Sequence, residues 1–502
     1  GSRILTVGTT VEIERLASAG TRRIRLGGRT VVPGFDDAHD HVGFSGPQGI
    51  TVAVDPSPTP DPPLTQVLDS LRAAAGRVKP GTWLSVTVGG QVFDSPRATR
   101  FVLDSVVPSH PIALWGWSGH GAVFNSAGLE AAGLLRAPDP VGGWQTRDPQ
   151  GLPTGRIDEY ALYGVQRRFA LTRSDTALAR LVRTWGEEGL QLGITSIQDM
   201  ATGYDLATAR TVVTGSGVRT RYRVMPFPQT DGPGGLLGDW RTNGSDSAIG
   251  PGIQMSGVKW VLDGTPIERL ALMRQPYTDR PGWYGRANFS FDTLRVLLRD
   301  ALTRAQQPLL HAVGDSSIAL VIAAMRAEAP DSAWRRLRPR LEHADGMGRD
   351  QVAAIKALGI VVVQNPAHLA IPEVMNARWG PERLSRIDMM RSLVDSGVPL
   401  ALGSDGPRAP GLNLMLATLH PNVPSEALTR EQAVTAYTRG SAYAAFADTE
   451  RGTIAPGMLA DLAVLSQDVF AIRPDALPTT TSLLTLVGGR VLHDALPRAP
   501  RR

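Results

Sequence analysis

Residues 31–41 read VVPGFDDAHDH, an apolar run that ends in two histidines one residue apart. In an extended segment successive side chains alternate faces, so His39 and His41 point the same way and can reach one ion. Alone, the pair also reads as two polar residues in a turn. The choice depends on whether the rest of the chain brings metal-competent partners to the same place.

Seven further apolar, β-branched runs follow: GITSIQDM (193–200), RYRVMPF (221–227), IQMSGVKWVLDG (253–264), QPLLHAVGD (307–315), RPRLEHAD (338–345), GIVVVQNPAH (359–368) and VPLALGSDG (398–406). Helical stretches such as FDTLRVLLRDALTRAQ and RDQVAAIKALG lie between most of them. Continuously apolar strands alternating with helices predict a parallel sheet covered by helices. Eight such strands predict a (β/α)8 TIM-type barrel, with a doubly wound open sheet as the alternative.

Two regions break the alternation. Residues 44 to about 175 are rich in Pro, Gly and Trp (DPSPTPDPPL, WGWSGHG, DPVGGW) and read as a large insertion after strand one. RILTVG and RRIRLGG near the start, with RGTIAPGMLADLAVLS and LLTLVGGRVLH near the end, predict a small β-sandwich built from both termini. The expected domains are 1–33 and 451–502 for the small domain and 34–450 for the barrel.

The 502 residues are 42% hydrophobic and 20% charged, an ordinary globular balance. The net charge of +5 is spread along the chain rather than gathered, and no nucleic-acid-binding spacing is present, so no nucleic-acid role is expected. The absence of cysteine removes thiolate metal sites and cysteine nucleophiles. No run of about 20 apolar residues predicts a membrane span. The expected location is cytoplasmic. The opening GSRILTVG is no natural start, so a removed leader stays open.

In a barrel of this type the C-terminal strand ends share one mouth. His39 and His41 end strand one, Lys259 lies in strand four, His311 ends strand five, His343 ends strand six and Asp405 ends strand eight. Each has a bland reading by itself. Asp in GSDG is usually a turn residue, and a lysine normally snorkels from a surface, although GVKWVL gives Lys259 an apolar setting where an ammonium is costly. Together, in this order, they predict a metal site of histidine nitrogen and carboxylate-type oxygen. That donor set suits Zn2+, with Mn2+ or Fe2+ as alternatives.

At this point the chain resembles a family. VVPGFDDAHDH is similar to the opening PGF-x-D-x-H-x-H of the amidohydrolase superfamily. SGHGAVFNSAGLEAAG (118–133), DPQGLPTGRIDE (148–159), GVKWVLDGT, HAVGD, RLEHAD, VQNPAH, LALGSDGP and GTIAPGMLADLAVL resemble later blocks of its amidohydrolase-3 group, the YtcJ-like enzymes that include N-substituted formamide deformylase. The resemblance covers nearly the whole chain. It departs at VGGQVFDSP (88–96), where the group often has a Gly-Trp-Asp type segment, and at the N-terminus, where a further strand is usual.

The resemblance implies two divalent metal ions, one held by His39, His41 and Asp405 and the other by His311 and His343. It implies that Lys259 is carboxylated by CO2, its carbamate bridging the ions. It implies cleavage of a C–N amide-type bond, in the N-substituted amide or formamide class, with Asp405 as general base and then acid. His120 is the expected second catalytic residue, donating to the substrate carbonyl, or else it fastens its own loop. Trp117, Trp260 and His368 are candidate substrate contacts, and Asp263 is expected to orient the lysine strand or a loop. Deamination or lactone and ester hydrolysis on the same scaffold remain alternatives. A non-catalytic binding protein would need a missing ligand, and none is missing. A small-molecule substrate is expected, with a homodimer among the open assemblies.

Overall fold

The computed structural model describes residues 1–42, 46–54, 61–232, 234–238 and 247–497. The proline-rich stretch at 55–60 and the terminal basic residues at 498–502 lie outside them. Eight runs form parallel strands: β1 (Phe35–Asp40), β2 (Ile194–Ala201), β3 (Arg221–Pro226), β4 in two pieces (Ile253–Met255 and Val258–Val261), β5 (Pro308–Ala312), β6 (Arg340–His343), β7 (Val361–Gln364) and β8 (Leu400–Leu402). They coincide with the eight apolar runs of the sequence.

The strands pair in chain order as two arcs. β1, β2, β3 and the first piece of β4 make one. The second piece of β4 and β5 to β8 make the other. Strand order never reverses, as it would in a doubly wound sheet, so this mixed α/β fold is a TIM-barrel-type scaffold. The arcs join at Ser256-Gly257, where Ser256 N donates to Val224 O at 3.0 Å. Gly257 has φ +77°, and an added Cβ would lie 2.6 Å from Leu309 Cδ1, so only glycine fits the break. At the other meeting of the arcs Asp405 N donates to His39 O at 2.9 Å and Ser404 N to Asp37 Oδ1 at 2.8 Å.

Helices cover the arcs because their apolar stripes match the strand surfaces. Those at Asp175–Gln191, Leu206–Ser216 and Phe291–Thr303 begin at Ser174, Asp205 and Ser290, whose side chains accept from backbone N–H groups of the first turn. Leu294, Leu297 and Leu298 of the third share one core with Val258 and Leu310 of the strands. No helix among the described residues is long and apolar enough to cross a membrane.

The insertion is more regular than its composition predicts. It carries a six-stranded sheet in the order Gly49–Thr51, Trp83–Val88, Ile112–Gly116, Gly121–Phe124, Pro153–Glu159, Gly143–Arg147. Leu84, Val86, Leu114 and Val123 face one apolar cluster, and Phe124, Ile157 and Leu162 face a second. The helix Tyr160–Leu171 leads from this sheet toward β2.

The termini depart from expectation. Among the described residues the small domain is a single antiparallel sheet, Val31–Pro33 followed by Leu462–Leu465, Ser482–Val487 and Arg490–Asp494, without a second layer to make a sandwich. RILTVG contributes a bridge between Arg3 and Leu459 and backbone hydrogen bonds of Ile4 with Met458 and Gly457, but no strand, and RRIRLGG forms none either. Ile24 and Leu26 alternate with exposed Arg23 and Arg25, but no strand among the described residues pairs with this segment, and Ile24 stays exposed.

Candidate metal centre and active site

The two histidines of β1 come together as their spacing requires, Nε2 to Nε2 at 3.3 Å. His39 Nδ1 lies 2.7 Å from Glu342 Oε2, and His41 Nδ1 lies 2.9 Å from Thr202 Oγ1. A ring anchored through Nδ1 turns its Nε2 lone pair away from the anchor, which is how ligating histidines are oriented. Asp405 closes the group, with Oδ1 at 3.6 Å from His39 Nε2 and 3.4 Å from His41 Nε2. Its φ of +37° is a left-handed conformation in a non-glycine residue, the kind of local cost that accumulates at functional sites.

The second arc supplies the remaining residues. Arg340 and Glu342 are two apart on β6 and share the inner face. His343 would face the helices, but its φ of +72° turns the chain, and its ring packs 4.4 Å from that of His311 and 4.8 Å from that of His39. His343 Nδ1 sits 2.9 Å from Asn365 Oδ1 and 3.7 Å from Asp405 Oδ2. His311 Nε2 is buried and has no hydrogen-bond partner. Lys259 is 1% exposed, and burial pulls its ammonium down to about 8.

A divalent cation fits this donor set. Burial holds His39, His311 and His343 below the ordinary imidazole value and pulls His41 to about 3, so the rings are neutral near pH 7 with lone pairs available. His311 Nε2, without a hydrogen bond and 4.0 Å from Asp263 Oδ1, is a buried acceptor that a cation would satisfy. Ligand atoms of His39, His343 and Asp405 lie within 4.8 Å of one another, and so do those of His343, Asp345 and His368.

His120 reaches the centre from the insertion, its ring 4.6 Å from that of His311. Its Nδ1 lies 2.9 Å from Glu159 Oε1 and 2.9 Å from Tyr163 Oη. Burial opposes charging this ring, but the carboxylates of Glu159, Glu268 and Asp405 together outweigh it and the net shift is upward. His368 stacks on His343, with Asp345 at 3.4 Å from Nδ1 and Asp405 at 3.6 Å from Nε2. Burial again opposes the charge, and the two carboxylates push this imidazole well above its ordinary value.

His41, Trp117, His120, Lys259, His311 and Asp405 line one cavity. An apolar arm continues from it past Ile267, Val313, His368, Ile371 and Met375. Trp117, 41% exposed, borders both. Trp260 does not belong here: it is fully buried, its Nε1 donates to Leu236 O at 3.1 Å, and it lines neither cavity. Alternation on β4 explains the correction, since Lys259 and Val261 take the inner face and leave Trp260 to the helices. Asp263 anchors a loop, as expected, accepting from Leu272 N between β4 and β5 and from Val313 N, Gly314 N and Ser317 Oγ just past β5. Asp40 lines the cavity but is taken up by the Trp185 indole and the His41 amide.

Sequence reasoning missed the residues behind the candidate ligands. Glu342 stands within the quoted RLEHAD and is bound by Arg340 through Nε at 2.7 Å and Nη2 at 3.0 Å. Its spacing from Arg340 was the available signal. Glu159, Tyr163, Asn365 and Thr202 carried no signal, because each is defined by a partner distant in sequence.

Residues 23–493 match the model of the amidohydrolase family. The chain is 26% identical to the putative amidohydrolase YtcJ of Bacillus subtilis, over 96% of this chain and 92% of that one. It is 28% identical to the N-substituted formamide deformylase of Arthrobacter pascens, over 98% and 94%. An uncharacterized metal-dependent hydrolase from Pyrococcus furiosus shares the fold with a TM-score of 0.69 at 23% identity, covering 94% of each chain. With a family model spanning nearly all of it, the chain belongs to the amidohydrolase family.

Proposed function

We propose that the protein hydrolyses a C–N amide-type bond of a small molecule, in the N-substituted amide or formamide class, at a centre for two divalent cations. The observation that carries this reading is the convergence of His39, His41, Lys259, His311, His343 and Asp405, with neutral imidazoles and one buried nitrogen unpartnered. His39, His41 and Asp405 would hold one cation and His311 and His343 the other. Lys259 would join them as a carbamate. Its lowered pKa favours this, because CO2 adds only to the unprotonated amine. The likeness to a formamide deformylase supports the substrate class. The contact between Asp405 N and His39 O supports closure of the two arcs into an eight-stranded barrel.

Bound cations supply Lewis acidity that lowers the pKa of water and polarises a carbonyl; nitrogen and oxygen donors without thiolate favour Zn2+. The protein does the rest. Asp405 takes a proton from the attacking water and passes it to the leaving nitrogen, so that acid and amine are released. His120 donates to the carbonyl oxygen. Glu342 fixes the His39 ring through Nδ1, and the apolar arm keeps water from the acyl or amine substituent.

The test combines metal analysis with a substrate panel of amides, formamides, esters and aminated heterocycles. About two equivalents of divalent metal and amide turnover are expected, with Lys259→Ala losing both and short carboxylic acids restoring part. Less than one equivalent after growth with added zinc, or turnover of esters alone, would overturn the reading.

A further inference from the structure

Behind His120 lies a buried carboxylate that the reaction above does not use. The strands Gly121–Phe124 and Pro153–Glu159 run antiparallel with Gly121 opposite Asp158. One residue on, His120 and Glu159 face each other, and Glu159 N donates to His120 O at 3.0 Å. Opposed residues present their side chains on the same face, so the carboxylate meets the imidazole, Oε1 to Nδ1 at 2.9 Å. The other oxygen, Oε2, accepts from Tyr163 Oη at 3.2 Å and from Asn288 Nδ2 at 2.9 Å.

Three features show that this contact is built rather than incidental. Glu159 is fully buried. Its φ is +57°, a left-handed conformation held at a strand-to-helix turn where glycine would be relaxed. Gly264 keeps space for it, since a Cβ there would lie 2.4 Å from Glu159 Oε1. With Nδ1 held from behind, the opposite edge of the ring is the one beside His311 and the cavity.

We propose that Glu159, steadied by Tyr163 and Asn288, is a positioning residue for the hydrolysis: it holds His120 by Nδ1 so that Nε2 faces the carbonyl oxygen of the substrate. The inference rests on the reading of His120 as a substrate-facing donor. Glu159 touches no reacting atom and acts only through the imidazole.

A double-mutant cycle on the zinc-loaded enzyme tests it. His120→Ala should lower kcat about 10²–10³-fold, the usual loss for one donor to a developing oxyanion. Glu159→Ala should lower kcat roughly 10–100-fold with KM and metal content unchanged. Glu159→Gln, which keeps an acceptor for the Nδ1 proton, should recover most of that loss. The double variant Glu159→Ala/His120→Ala should be no slower than His120→Ala alone. Losses that multiply, or an unchanged kcat in Glu159→Ala, would overturn the proposal. A second readout needs no turnover. Tyr163 Oη also lies 2.9 Å from Nδ1, so the spectra are read in a Tyr163→Phe background: in 15N-histidine-labelled enzyme the hydrogen-bonded Nδ1 proton of His120, identified by its absence in His120→Ala, should persist in Glu159→Gln/Tyr163→Phe and vanish in Glu159→Ala/Tyr163→Phe. Its survival in Glu159→Ala/Tyr163→Phe would refute the contact. If the wild type cleaves no amide, the functional reading fails while the spectrum still decides on Glu159.

Discussion

Asp405 is the residue on which the proposed chemistry turns, because it meets His39, His41, His343 and His368 through two oxygens. Asp405→Asn keeps the shape and removes the proton acceptor. We expect kcat to fall about 10²–10⁴-fold, with the fold retained by circular dichroism and metal content followed in parallel; substantial residual turnover in the loaded variant would sink the proton-shuttle role. A different aspartate governs stability. Asp199 accepts from Val42 N at 2.9 Å and from Tyr222 Oη at 2.7 Å, and burial pushes its carboxyl from 3.8 up to about 8. The folded state therefore keeps the proton where the unfolded chain releases it. This contribution to stability is fully present below about pH 4 and declines as pH rises to about 8, by about 1.4 kcal/mol per pH unit, and is flat beyond. Asp199→Asn is neutral throughout. The Tm of the variant minus that of wild type should grow from pH 4 to pH 8 and level off; a difference independent of pH would refute a protonated Asp199.

At the scale of the element, a strand has two faces, and β4 shows how much depends on which one a side chain takes. Trp260 fills the helix-facing side, so Trp260→Ala should cost about 3–5 kcal/mol in denaturant unfolding while the folded variant still loads metal; loss of metal at unchanged stability would place the ring at the site after all. The apolar runs gave away the eight parallel strands of the scaffold, because buried strands need apolar residues on both faces. The residues of the candidate centre stood out because a histidine, a lysine or an aspartate interrupts that apolarity at the strand ends. The Trp260 parity was legible too, two residues from Val258 and one from Lys259, but an aromatic beside a charged residue reads just as readily as a pocket wall. The insertion was opaque for a physical reason. Its strands are short, and its pairings join residues as distant as Gly121 and Asp158, so no local period announces them. Glu159 was hidden because its imidazole partner lies 39 residues away, and the role of Glu342, although it stands two residues from Arg340, because its own lies 303 away.

Across the whole molecule, the insertion is fastened to the scaffold by a charge cluster near the apolar arm. Arg269 and Arg378 each bridge Asp94 of the insertion and Asp279 of the scaffold. Removing the more buried cation leaves two carboxylates facing each other with one counter-charge. Arg378→Ala should loosen residues 90–94 by about 1–3 kcal/mol, seen as faster amide exchange there and a higher KM with kcat little changed. Unaltered exchange would show that packing alone holds the insertion down. The split of the strands into two arcs carries a consequence of its own. His39 and His41 belong to one arc, and Lys259, His311, His343 and Asp405 belong to the other or lie just past it. A cation gripped by His39, His41 and Asp405 would therefore span the seam like a rivet. Its departure would leave that seam to the hydrogen bonds from Asp405 N to His39 O and from Ser404 N to Asp37, at the line where Gly403, with no side chain, lets Asp405 meet His39. The ion would then be a mechanical part of the enzyme as well as a chemical one.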